Sequence, residues 1–327
     1  MTTNPSMRAM GYTQPGPPEV LHEVVVDRPS PLPTEILVRV HASGLNPIDW
    51  RTRAGAPTPA AMAQGGESVH VLGWDVSGVV EEVGAGVYLF EPGDEVYGLP
   101  WFPRPAGANA EFVCASSRQF AEKPKGINHV HAAAVPLAGL TAWQALTDAA
   151  SIQPGQRVLV HAAGGGVGHL AVQIAKARGA YVIGTASESK HEWLRTLGVD
   201  ELVDYRSTRF EDVVEPVDVV LDLVGGFGGS DIPERSISMI KPGGTFVRVA
   251  PGTPSSALRL AAEASIRVTP DILVEPDGQG LADLARLIDS GALKVRVEEE
   301  FPLLRLADAH RQGELERTSG KLVIRVI

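Results

Sequence analysis

Four glycines fall within five positions, Gly164, Gly165, Gly166 and Gly168, between two segments of different period. Val158, Leu159 and Val160 form a short apolar run before them. After them Val167, Leu170, Ala171, Ile174 and Ala175 recur at helical spacing until Gly179. A second apolar run, residues 181–184, follows. Strand, glycine turn, helix and strand is a layout suited to a dinucleotide. A helix N-terminus carries unpaired N–H groups and a partial positive charge, so it attracts a pyrophosphate. Small residues before it let the backbone approach the phosphates. The spacing is Ala163-x-Gly165-x-x-Gly168, with alanine in place of the first glycine of the usual pattern. Gly165 permits close phosphate approach, and Gly168 permits close packing of helix on strand. Ala163, Gly164, Gly166 and Val167 complete the expected phosphate cradle. Such a glycine pattern counts for little by itself. This one follows a strand and opens a helix, the context that gives it meaning. The alternative is a glycine-rich turn that binds nothing.

The end of the second strand bears on which dinucleotide is bound. NAD-binding chains usually carry an acid there, about 20 residues on, for the ribose 2′-hydroxyl. Here the place holds Thr185, Ala186 and Ser187, with Glu188 close behind. Lys190 offers a cation and Ser187 a hydroxyl to a 2′-phosphate. The expected cofactor is therefore NADPH. The alternative is that Lys190 is a solvated lysine in a first helical turn.

The chain around this unit has 327 residues, enough for two domains, and 44% of them are hydrophobic. Lys plus Arg is 29 and Asp plus Glu is 39, a formal net charge of −10. Phosphate repulsion makes such a chain a poor general nucleic-acid binder. Cys114 is the only cysteine, which excludes an intramolecular disulfide and a cysteine-rich zinc site. There is no apolar signal segment and no run of membrane-spanning length, so no membrane partner and a cytoplasmic location are expected. Prolines and glycines punctuate the chain up to about residue 110, which reads as β-rich. Ile36, Val38, Val40 and Ala42 alternate with Leu37, Arg39 and His41, the period of a half-buried strand. Residues 56–69 are rich in Ala, Gly and Pro with little pattern and read as a loop, disordered or a mobile rim. From His129 onward the pattern alternates between helix and strand, which predicts a parallel, doubly wound sheet. The tail, a strand at 293–301, a helix at 306–316 and a strand at 321–326, is expected to rejoin the β-rich half.

With these residues in view, the chain resembles the medium-chain dehydrogenase/reductase superfamily over nearly its whole length. Within it, the chain resembles the zinc-free quinone oxidoreductase branch, the zeta-crystallin-like proteins. The resemblance is carried, in order, by SGLNPIDWRTRAG, GWDVSGVVEEVGAGV, FEPGDEVYG, AAAVPLAGLTAWQAL, HAAGGGVGHLAVQIAKARGA, LGVDELVDYR and SGKLVIRVI. It implies an α/β fold with a GroES-like β-rich catalytic domain, residues 1–124 and 293–327. Into this is inserted a Rossmann doubly wound parallel-sheet domain, residues 125–292. Zinc alcohol dehydrogenases of the superfamily place a cysteine where this chain has Asn46, and a His-Glu pair where it has Trp74 and Asp75. Asparagine and tryptophan are poor zinc ligands, so no metal is expected.

The resemblance also implies roles for single residues. Asn46 stands near the nicotinamide amide or the acceptor; its alternative is a turn residue before proline. Trp50 and Trp74 shape an apolar acceptor pocket or belong to the core. Asp75 orients a neighbour or serves as an acid, and Asp49 holds the loop. Thr141 approaches the nicotinamide. Val224, Gly225 and Ala250 follow strands and line the cofactor groove. Tyr205 stands near the adenosine phosphate or packs at a strand end, and Arg317 reaches the 2′-phosphate. Certain quinone oxidoreductases carry tyrosines just after the asparagine segment, where this chain has Trp50, Arg51, Thr52 and Arg53. An obvious proton donor is thus missing.

The expected function is NADPH-dependent, zinc-independent hydride transfer to a quinone or similar conjugated carbonyl. The rivals are an enoyl or enone reductase, an NADPH-binding sensor or structural protein with little turnover, and a zinc alcohol dehydrogenase. Residues 266–269 read as an edge strand, and unpaired edges invite pairing, so a homodimer is expected.

Overall fold

The computed structural model describes residues 5–63, 69–226 and 229–327. Its contacts divide the chain into two compact units. The first comprises the residues up to Leu140, Glu275–Gly291 and Val295–Ile327; the second comprises Thr141–Val274 and Ala292–Lys294. Residues 125–140 and 275–291, read above as part of the second domain, thus cluster with the first.

The first unit opens with β1 (Ser6–Tyr12), β2 (His22–Asp27) and β3 (Glu35–Leu45). Next come α1 (Pro47–Arg53), α2 (Pro59–Ala63), β4 (His70–Val71), β5 (Val76–Val83), β6 (Glu95–Gly98), β7 (Phe112–Ser116) and β8 (Phe120–Glu122). Two helices follow, α3 (His129–Ala133) and α4 (Pro136–Trp143), and the division between the units falls within α4. Helix α2 corrects the patternless loop expected at 56–69. Thr58 caps it, its hydroxyl accepting from Ala61 N at 3.0 Å, and a proline at the first helical turn costs no hydrogen bond. Residues 64–68 of that expected loop lie outside the described residues. A π-helical stretch at Gln144–Ala149 continues α4.

The second unit holds β9 (Arg157–Val160), α5 (Gly168–Ala177), β10 (Tyr181–Ala186), α6 (His191–Thr196), β11 (Glu201–Asp204) and β12 (Val217–Asp222). It continues through α7 (Ile232–Ile237), β13 (Ile240–Arg248), α8 (Ser255–Glu263) and β14 (Arg267–Val268). Its six strands form one parallel sheet in the order β11-β10-β9-β12-β13-β14. This is the doubly wound order, with its switch point between β9 and β12. Leu159, Ile183, Val220 and Phe246 form the centre of its core, all fully buried.

The chain then returns to the first unit through α9 (Gly278–Asp289), β15 (Val297–Pro302), α10 (Leu306–Glu314) and β16 (Lys321–Arg325). Strands run β15-β16-β3-β5-β6-β8 in a seven-stranded sheet, with β7 also paired to β3. The tail therefore rejoins the β-rich unit, as its pattern predicted, although β15 begins at Val297 rather than at residue 293. In β3, Ile36, Val38, Val40 and Ala42 are fully buried and Arg39 is exposed, as alternation requires. Leu37 is buried too, so the second face of this central strand is partly covered.

Candidate active site

In the second unit, the predicted cofactor residues gather at the C-terminal ends of the parallel strands. The chain leaves β9, turns through Ala162 at a φ of 49° and enters α5 at Gly168. A Cβ at Gly168 would lie 2.3 Å from Ala162 O, so only glycine lets the helix start this close to the turn. No side chain caps the N-terminus of α5; His169 N and Leu170 N donate back to Gly165 O and Val167 O, each at 3.1 Å, which folds the glycine turn tightly onto the helix start. The turn is held from below. Ala163 N donates to Thr185 O at 3.0 Å, and Ala162 N to Thr185 Oγ1 at 3.3 Å. His161 bridges Thr185 Oγ1 at 3.1 Å and Ser236 Oγ at 2.8 Å, and burial pushes its pKa down to about 3. A neutral imidazole can donate through one nitrogen and accept through the other, so both bonds are satisfied.

Lys190 lies across the glycine turn. A Cβ at Gly164 would come within 2.6 Å of Lys190 Cδ, and Lys190 Nζ stands 3.5 Å from Gly164 O. Ser187 is buried beside it, its hydroxyl 3.3 Å from that of Ser189. Tyr205 follows β11, whose last residue Asp204 pairs with Ala186, so Ser187 and Tyr205 leave adjacent strand ends. Tyr205 is exposed, with the Arg206 guanidinium 5.8 Å from its ring centre. Val224 and Ala250 follow β12 and β13, and both are tied by their backbone to Asp222. These residues fit a dinucleotide: small residues at a helix start without a side-chain cap for the pyrophosphate, and a cation with hydroxyls at the β10 and β11 ends. Thr141 is buried in α4. Arg317 belongs to the first unit, exposed between α10 and β16.

The first unit contains a second cluster of polar groups. Asn46 with Asp49, Asp75, and Lys321 come from three distant places in the chain, and none of the four is more than 4% exposed. Asn46 Nδ2 donates to Asp75 Oδ2 at 2.9 Å, and Asn46 N donates to Asp49 Oδ2 at 2.8 Å. Lys321 Nζ donates to Asn46 Oδ1 and, at 2.7 Å, to Leu45 O; it stands 3.6 Å from Asp75 Oδ2. Asp75 Oδ1 accepts from Leu137 N at 2.6 Å, at the start of α4. Burial raises the Asp75 pKa, against the pull of Lys321 and the Asn46 donor. Burial lowers that of Lys321, against Asp75 and Asp49. Asp49 is pushed up to about 7, chiefly by burial, and its Oδ1 has no hydrogen-bond partner.

The structure thus joins Asn46 and Asp75 directly and adds Lys321, which the motif reading left without a partner. The signal was available: a lysine opens the buried apolar strand KLVIR, and a buried lysine requires oxygen partners. Trp50 lies on α1, its ring against Gly313 of α10. Trp74 is a core residue, with its indole N–H donating to Arg104 O at 2.7 Å and its ring edge-on to Phe102. Among the described residues, no group of three or more His, Cys, Asp or Glu side chains is placed to hold a metal ion. Nor is any helix among them long and apolar enough to cross a membrane.

Comparison with known proteins agrees with both halves of this description. Residues 32–128 match the family described as alcohol dehydrogenase GroES-like domain, and residues 197–324 match the one described as zinc-binding dehydrogenase. The human mitochondrial NAD(P)H oxidoreductase RTN4IP1 is 32% identical over 329 residues, 90% of this chain and 82% of that one. The chloroplastic NADPH-dependent alkenal/one oxidoreductase of Arabidopsis thaliana is 32% identical over 334 residues, 97% of this chain and 79% of that one. The structure of the quinone oxidoreductase from Coxiella burnetii superposes with a TM-score of 0.90 at 36% identity, covering 99% of this chain and all of that one. On the evidence of the paired units, the glycine turn and these relatives, the chain belongs to the medium-chain dehydrogenase/reductase superfamily of NAD(P)H oxidoreductases.

Proposed function

We propose that this protein is an NADPH-dependent reductase that delivers a hydride to a quinone or similar conjugated carbonyl without a metal ion. The observation that carries the reading is the buried cluster of Asn46, Asp75 and Lys321. Lys321 places a cation among the amide oxygen of Asn46, the Leu45 carbonyl and the Asp75 carboxylate. Where zinc members of the superfamily have the cysteine and the glutamate of the His-Glu pair, this chain has Asn46 and Asp75, joined in a hydrogen-bonded network with Lys321. Polarisation of an acceptor then falls to hydrogen bonding and the local field. That suits acceptors whose new negative charge is delocalised onto an oxygen conjugated with the carbon that is reduced.

In this reading Ala163, Gly164, Gly165, Gly166, Val167 and Gly168 hold the pyrophosphate. Ser187, Lys190 and Tyr205 hold the 2′-phosphate. Thr141, Val224 and Ala250 line the nicotinamide half. NADPH, when bound, supplies the hydride; the chain binds and orients it and excludes water. Asn46 and Asp75 frame the acceptor side, Trp50 supplies apolar packing beneath it, and Lys321 holds the Asn46 amide in one orientation.

A second reading, reduction of an enone or enoyl carbon–carbon double bond, is favoured by Asp49. A buried carboxyl whose pKa is pushed up to about 7 is close to half protonated near Asn46 at neutral pH. The alkenal/one oxidoreductase relative points the same way. The test is NADPH oxidation with a panel of quinones and enones in the presence of a chelator. Quinone turnover supports the first reading, and turnover of enones alone supports the second. Bound NADPH without turnover of any acceptor overturns both in favour of a binding protein. Loss of activity to the chelator overturns metal independence. We also propose a homodimer, since β14 lies at the end of the six-stranded sheet. A monomer in sedimentation at micromolar concentration would refute it.

A further inference from the structure

In the second unit one buried residue at the C-terminal edge of the sheet meets two loops, its carboxylate bonding one and its backbone carbonyl the other. Asp222 ends β12 and is fully buried. Its Oδ1 accepts from Val224 N and from Gly225 N, each at 3.0 Å. Its backbone carbonyl accepts from Val249 N at 3.1 Å and Ala250 N at 3.0 Å, in the loop after β13. The two loops are in backbone contact. Gly225 has a φ of 73°, and a Cβ there would lie 2.3 Å from Pro251 O; a Cβ at Gly226 would lie 2.2 Å from Gly252 O. Asp222 Oδ2 is buried and has no partner. A buried carboxylate that serves only as an apolar strand end is costly. Here it holds two N–H groups of the 224–226 turn, which packs against the loop after β13.

The strand order says which part of a dinucleotide these loops face. The glycine turn follows β9, at the middle of the sheet. Lys190 and Ser187 lie on its β10 side, and Asp222 lies on its β12 side. With a pyrophosphate at the start of α5 and the adenosine half toward β10, the other half extends over β12 and β13.

We propose that Asp222 is a positioning residue for the nicotinamide half of the cofactor, its carboxylate holding the 224–226 turn in the shape that packs against the 249–252 loop. This rests on the NADPH reading above. Loss of the carboxylate frees the 224–226 turn and leaves the backbone bonds of Val249 and Ala250, the glycine turn and Lys190 in place. The expected signature is a split between the halves of the ligand.

The experiment measures three quantities in the whole protein: NADPH affinity by nucleotide fluorescence, 2′,5′-ADP affinity by calorimetry, and Tm. Asp222→Ala should weaken NADPH roughly tenfold or more while leaving 2′,5′-ADP within about twofold. Asp222→Asn keeps an oxygen for the two N–H donors and should recover most of the NADPH affinity. Gly225→Ala, which leaves the carboxylate in place but forces the loops apart, should reproduce the Asp222→Ala split, and it carries the test if Asp222→Ala does not fold. Unchanged NADPH affinity in Asp222→Ala and Gly225→Ala overturns the proposal, as does an equal loss for NADPH and 2′,5′-ADP. A wild-type protein that binds neither ligand overturns the cofactor reading itself. A wild-type that binds both, with variants that show no split, overturns only the role of Asp222.

Discussion

Replacing Lys321 by methionine puts the buried cluster of the first unit to a quantitative test. Methionine fills nearly the same volume and donates no hydrogen bond. In Lys321→Met, Asp75 keeps its bonds from Asn46 Nδ2 and Leu137 N but loses its counter-charge. Asn46 Oδ1 and Leu45 O lose their donor. Removing one partner of a buried ion pair costs about 3–5 kcal/mol, and an unpartnered buried carbonyl about 1–3 kcal/mol, partly overlapping. The expected loss is about 4 kcal/mol. That is a large share of an ordinary stability of about 5–15 kcal/mol, yet it leaves the protein folded at room temperature. Adding Asp75→Asn removes the orphaned charge. The double variant should therefore be less destabilised than the two single variants added together, by about 2 kcal/mol. Urea unfolding followed by tryptophan fluorescence reads this, since Trp50, Trp74 and Trp101 report on the first unit. A loss under about 1 kcal/mol in Lys321→Met, or simple additivity of the two changes, would refute the reasoning.

The remaining predictions concern pH and cofactor choice. The Asp49 pKa is raised from 3.8 to about 7, so the native state holds a proton that the unfolded state has released between those values. Stability therefore falls as pH rises through that window, by about 4 kcal/mol in all, and Asp49→Asn should flatten the dependence of the urea midpoint on pH. His161 and His310 are both pushed by burial down to about 3. Their contribution is complete above pH 6.5 and is lost as pH falls toward 3, with a slope of about 1.4 kcal/mol per pH unit for each. His310 has no hydrogen-bond partner on either ring nitrogen, so His310→Leu should remove one such proton from the acid limb without costing a bond. Lys190→Ala should weaken NADPH roughly tenfold to a hundredfold and leave NADH nearly unchanged; equal losses for both would remove the 2′-phosphate assignment.

Features set by neighbours along the chain could be read in advance. The glycine turn, its strand and its helix depend on residues within about twenty positions, because spacing selects the backbone and periodicity selects the buried face. The parallel order of the second unit follows from strand–helix alternation and right-handed crossovers, so it was also legible. Helix α2 carried its own signal in Thr58 followed by Pro59 and was missed because the surrounding composition suggested a loop. Element ends shifted where pairing decided them: β15 starts only where it meets β16.

What local pattern cannot express is a meeting of residues far apart in the chain. Asn46, Asp75, Leu137 and Lys321 are ordinary residues in four separate segments, and the alternation around them predicts burial without naming a partner. Their network exists because β16 pairs with β3 and brings Lys321 to the strand end from which Asn46 follows. Asp222 is similar: its type fits a strand end, but only the tertiary structure shows that its buried carboxylate holds the turn that packs on the loop after β13. The chain's local chemistry therefore determined the nucleotide-binding turn and the class of fold. The tertiary structure decided which polar side chains are buried together, because burial is what turns a charge into an obligation to find a partner.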